Sequence, residues 1–143
     1  MRPTTVLTLS SLILLAACAS PSGDTVMAAA QTRAFDQPFT LAPGDSVVVG
    51  AEHVRVAFDR VTADSRCPRD VQCIWAGEAT VLARIAPNGQ PDESVELTTT
   101  PGGATSTMGG FTLTLNELQP VPRASQPTQA SEYRATFVLS KAT

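Results

Sequence analysis

Ala79-Thr80-Val81-Leu82-Ala83-Arg84-Ile85-Ala86-Pro87-Asn88-Gly89 reads as a strand running into a turn. Ala79, Val81, Ala83 and Ile85 share one face while Thr80 and Arg84 take the other, the period of two of a half-buried β-strand. Asn88-Gly89 is a pair that tolerates the positive φ of a tight hairpin turn. The same alternation recurs outward from this stretch. Val54-Val56-Phe58 opposes Arg55-Ala57-Asp59, and Phe111-Leu113-Leu115 opposes Thr112-Thr114-Asn116. Tyr133-Ala135-Phe137-Leu139 opposes Arg134, Thr136 and Ser140, interrupted only by Val138. Residues 37–41, 46–49 and 94–100 give shorter runs of the same kind. Pro43-Gly44, Pro101-Gly102-Gly103 and Gly109-Gly110 punctuate the pattern, and no segment sustains a period of 3.6. About seven antiparallel strands within residues 35–143 predict an all-β domain. The expected form is a single antiparallel β-sandwich, Ig-like or similar, with a small β-barrel as the alternative. Residues 119–130 hold Pro120, Pro122 and Pro127 and are expected to form a long irregular connection.

The whole chain has 143 residues, enough for one cored domain and too few for two. A charged fraction of 16% against 43% hydrophobic residues excludes a wholly disordered chain. Lys+Arg 10 against Asp+Glu 13 gives a net charge of −3, which leaves no basic stripe to neutralise phosphates, so nucleic acid is not an expected partner.

Ahead of the β pattern lies an address. Arg2 precedes an apolar run from Val6 to Ala17, too short to span a bilayer and of the length of an export signal. It ends in Leu15-Ala16-Ala17-Cys18, which resembles the bacterial lipobox closely. That resemblance implies cleavage before Cys18 and acylation of its thiol and amine, several chains being needed for stable anchoring. An ordinary signal cut after Ala19, giving a soluble periplasmic or secreted protein, is the alternative. Ala19 in place of an aspartate after the cysteine favours the outer membrane, with the domain facing the periplasm. The expected organisation is therefore a signal at 1–17, an acylated Cys18 with a flexible tether through residue 34, and the sandwich from 35.

The densest segment is Asp64-Ser65-Arg66-Cys67-Pro68-Arg69-Asp70-Val71-Gln72-Cys73-Ile74-Trp75-Ala76-Gly77-Glu78-Ala79. With Cys18 committed to lipid, Cys67 and Cys73 are the remaining thiols, and an oxidising compartment makes them an expected disulfide. Parity places Cys73 and Trp75 on one face of a strand continuing through Gly77, so Trp75 is expected over the bridge as a cap on the core. Asp64-Ser-Arg-Cys-Pro followed by Val-Gln-Cys-Ile-Trp-Ala-Gly-Glu-Ala resembles the signature of a group of uncharacterised bacterial envelope proteins that are small, exported and often lipid-anchored. The resemblance implies boundaries and location. It implies no mechanism.

Other chemistries meet this segment only in part. Cys67, Cys73 and His53 are three side chains suited to zinc or copper, but the cysteine spacing is wide and a fourth ligand is missing. His53 is expected on the outer face of a strand beside Arg55. The cysteines lack the Cys-x-x-Cys spacing of redox dithiols, Ser65 lacks a nucleophile elbow, and the Gly102–Gly110 stretch lacks the lysine of a phosphate loop. Acidic residues around Arg66 and Arg69 read as a local salt network. No catalytic residue, metal or cofactor is expected, and the chain is read as a non-enzymatic binding or scaffolding protein. Its partners are the membrane, through Cys18, and an envelope protein or small ligand. Arg66, Arg69 and Trp75 are the expected contact surface, a stiff loop needing little ordering on binding. A protease-inhibitor-like presentation of Arg66 and Arg69 is the sharper alternative.

Overall fold

The computed structural model describes residues 32–143, so the expected signal, Cys18 and most of the expected tether lie outside the described residues. The strands are β1 (Thr32–Arg33), β2 (Phe39–Leu41), β3 (Ser46–Val49), β4 (Val54–Asp64), β5 (Ala79–Ala86), β6 (Glu93–Thr98), β7 (Thr105–Met108), β8 (Phe111–Gln119) and β9 (Arg134–Lys141). They form two open sheets, β1-β3-β4-β5-β6 and β2-β9-β8-β7. The sandwich is formed, and the barrel alternative is not. All pairings are antiparallel except β1 with β3.

The alternating residues fill the space between the sheets. Val54, Val56 and Phe58 of β4, with Ala79, Val81, Ala83 and Ile85 of β5, meet Leu113 and Leu115 of β8 and Ala135, Phe137 and Leu139 of β9. Phe58 and Phe137 touch across the sheets edge to face at 6.0 Å between centroids, a favoured aromatic geometry. The register of β4 slips against β5 after Phe58 and again after Val61. The first slip resets parity, which is how Phe58 and Val61, three apart, both reach the core. A similar slip at Asn116 brings Leu118 inward after Leu115. The hairpin turn forms as its sequence dictates: Asn88 and Gly89 have φ of 39° and 74°, and Gln90 donates its amide to the Pro87 carbonyl at 2.8 Å.

Among the described residues nine strands stand where about seven are expected. Thr32–Arg33, assigned to the tether, pairs in parallel with Val48 and Val49, and two residues are too few to show a period. Thr105–Met108 lies in a Gly- and Thr-rich stretch read as a turn. It is an edge strand whose outer face is a threonine ladder, Thr107 against Thr112 hydroxyl to hydroxyl at 3.0 Å, so it lacks the apolar alternation that marks a buried strand. His53, expected on a strand face, sits instead in the turn before β4 with φ 51°.

The topology gives the sandwich two ends. Arg33 is level with Val49 and hence with Val54 at the start of β4, so the chain enters at that end. Strand β4 runs 11 residues and stops at Asp64, roughly 35 Å away at the usual rise per residue. The segment 65–78 and the 120–133 connection both project from this far end.

Candidate functional site

At the far end the β4–β5 ladder continues past the strands as a narrow stem. Ser65 donates its amide to the Glu78 carbonyl at 2.8 Å, and Cys67 donates to the Ala76 carbonyl at 2.9 Å. The Ser65 hydroxyl adds a bond to the Glu78 carbonyl at 2.9 Å. Gly77 permits this closeness: it has φ +64°, and a Cβ there would stand 1.8 Å from the Ser65 carbonyl oxygen. No other residue type fits both constraints. Beyond the stem Cys67 and Cys73 are bonded to each other, with Cα atoms 5.9 Å apart, the pairing expected of the two remaining thiols.

Beneath the stem lies a charged clamp. Arg66 donates from Nε to Asp64 Oδ1 at 2.9 Å and from Nη2 to Oδ2 at 2.7 Å, a two-pronged pair. The same guanidinium reaches the other sheet, donating to the Leu118 carbonyl at 2.6 Å and the Pro120 carbonyl at 2.8 Å. Tyr133 closes the clamp by donating its hydroxyl to Asp64 Oδ2 at 3.0 Å. The side chains of Arg66 and Asp64 are only 13% and 10% exposed. Burial would raise the Asp64 carboxyl, but the Arg66 hydrogen bonds and charge, with the Tyr133 hydroxyl, outweigh it and hold the group below its ordinary value. Tyr133 is pushed up, by burial first and then by the Asp64 carboxylate.

The loop is docked onto the 120–133 connection at two further points. Arg69 donates its amide to the Pro122 carbonyl at 3.0 Å. The Asp70 carboxylate accepts the Ala124 amide at 2.8 Å and the Ser125 hydroxyl at 3.5 Å, and the first of these bonds holds its carboxyl below the ordinary value. Of the expected salt network only Arg66–Asp64 forms, since Glu78 accepts the Thr100 hydroxyl and Arg69 makes no ion pair among the described residues.

Trp75 does not cap the core. Strand β5 begins only at Ala79, so strand parity does not extend back to Cys73, and the turned backbone at Gly77 carries the preceding residues outward. Tyr133 and Leu118 already fill that end of the core. Ile74 and Trp75 are left 94% and 82% exposed, beside a half-exposed Val71. Sequence reasoning passed over Ile74, although a signal was present: two adjacent large apolar residues cannot both face inward from one strand. It also passed over Arg123 and the hydroxyl of Tyr133, because only the sandwich topology brings them to this end.

Arg66 is spent on internal bonds, so an inhibitor-like presentation of it would first have to break the clamp. Cys67 and Cys73 offer no thiolates while bonded to each other, and His53 lies at the opposite end of β4. Among the described residues no three His, Cys, Asp or Glu side chains gather as a metal site, and no helix is long and apolar enough to cross a membrane. Compared with known proteins, the chain matches no family model, no curated protein and no solved structure.

Proposed function

We propose that this chain is a lipid-anchored cell-envelope protein whose sandwich binds or scaffolds another envelope protein without catalysing a reaction. The observation that carries this reading is the Ile74–Trp75 tip, two large apolar side chains held in solvent on a disulfide-tied loop. Exposed tryptophan on a pre-ordered support is the chemistry of an interface anchor, since it buries much area and little freedom remains to be lost. Support for the anchor comes from Leu15-Ala16-Ala17-Cys18; acylated Cys18 would hold the domain at the outer membrane, facing the periplasm. The described chain begins at the end of the sandwich away from the tip, which supports a tip free to reach a partner away from the anchor.

Site-specific photo-crosslinking tests the reading. A photoreactive residue at position 75 of the full-length protein should give discrete protein adducts in envelopes, while one at the exposed Arg60 on β4 should not. Excess unlabelled wild-type protein should compete these adducts away, and excess Ile74→Ser/Trp75→Ala protein should not. Equal competition by both, or adducts only with lipid, would refute a protein-binding tip.

A further inference from the structure

Beside the tip, between the disulfide loop and the 119–132 connection, the surface folds into a cleft of about 390 Å³. Arg69 lines it from the loop, and Arg123, Gln126, Thr128 and Val121 line it from the connection. Arg55, Arg66, Arg84 and Lys141 each pair with a carboxylate, whereas Arg69 and Arg123, like Arg60 and Arg134, have no carboxylate within 4 Å among the described residues; of these four, Arg69 and Arg123 are the two that line the cleft. The acids that share this end accept hydrogen bonds from the protein itself. Asp70 is turned to the Ala124 amide and the Ser125 hydroxyl, and Glu132, which also lines the cleft, accepts the Gln129 amide at 2.6 Å. Two guanidiniums, each with a planar fork of donors, therefore line one concave surface with their carboxylate-binding capacity unspent.

We infer that this cleft takes a carboxylate-bearing peptide segment of the partner. It has the size of a ligand site and is larger than a lone anion requires. Its floor mixes Val121, Pro120 and Pro127 with the amide and hydroxyl groups of Gln126 and Thr128, which suits a peptide backbone with its side chains. Arg69 and Arg123 pair with acidic side chains, and Ile74–Trp75 engages an apolar residue nearby on the same partner. The inference rests on the binding reading above and supplies the partner's chemistry.

The test is an NMR titration of the oxidised full-length chain in zwitterionic micelles, following the guanidinium Nε–H signals of Arg69 and Arg123. The probe is capped tetraglutamate, with capped tetraglutamine and inorganic phosphate as separate arms. Tetraglutamate should shift both signals saturably with a Kd of roughly 1 mM or below at low salt, and added salt should weaken it. Arg69→Gln/Arg123→Gln should weaken binding by about tenfold or more, while Arg60→Gln should leave it unchanged. Tetraglutamine and phosphate should each bind at least about tenfold more weakly than tetraglutamate. A lack of saturable shift, wild-type affinity in the double variant, or phosphate binding as tightly as the peptide would overturn the inference. Should the cleft fail while crosslinks from position 75 are still competed, the binding reading stands without it.

Discussion

The clamp and the tip lie within a dozen residues of each other and invert the usual distribution of side chains. Asp64 and Arg66, both charged, are nearly buried, while Ile74 and Trp75, both apolar, are nearly bare. Charge taken from water persists only where it is paired and hydrogen-bonded, and here every prong of Arg66 has a partner. Apolar surface left in water costs free energy that folding alone would recover by burial. On the binding reading proposed above, the difference separates two roles: the clamp serves the fold, and the tip serves a partner outside it. The clamp joins the two sheets through the Leu118 and Pro120 carbonyls and fixes the base from which the tip projects.

Removing the clamp should have the largest effect. Arg66→Ala leaves the Asp64 carboxylate and two carbonyls short of donors and should cost about 2–4 kcal/mol in denaturant unfolding, somewhat less than a wholly buried pair because both groups graze solvent. Opening the disulfide by Cys67→Ser/Cys73→Ser should cost about 2 kcal/mol, the value of a short closed loop. Gly77→Ala should cost about 1–3 kcal/mol through its left-handed backbone and the Ser65 carbonyl against the new methyl. Acid should act through the clamp with a definite sign. The Asp64 carboxyl is lowered in the fold, so its stabilisation is present above the ordinary carboxylate range and is lost as pH falls through its folded value. Unfolding free energy should therefore hold steady from neutral pH and decline below about pH 4, with a smaller decline in Asp64→Asn. The smallest effect on stability belongs to the tip: Ile74→Ser/Trp75→Ala should stay within about 0.5 kcal/mol of wild type yet lose the crosslinked partner. A cost of several kcal/mol there would erase the distinction between the two regions.

The sandwich was legible because its core strands alternate cleanly. Ala79–Ile85, Leu113–Leu115 and Ala135–Leu139 place each apolar residue where the period puts it. The disulfide was legible from two cysteines left over as a pair once Cys18 was assigned to lipid. What escaped is what alternation does not encode. Edge strand β7 packs threonines rather than apolar residues, and β1 is two residues long. Trp75 was placed on the core by extending strand parity across a glycine that turns the chain. Arg66 and Arg69 looked equivalent three residues apart, yet one meets Leu118 and Pro120 from the other sheet and the other faces a cleft. Contacts fifty residues distant in sequence decide that, and no local spacing carries them.

The most direct test of the account is the environment of Trp75, the chain's single tryptophan. Its fluorescence in the purified oxidised protein, with acrylamide as quencher, reports the tip without any partner. The account predicts emission at the wavelength of indole in water and quenching close to that of a free indole, unchanged by Ile74→Ser. Blue-shifted emission shielded from acrylamide would mean that the ring packs on the sandwich, and it would contradict an apolar tip held out for a partner.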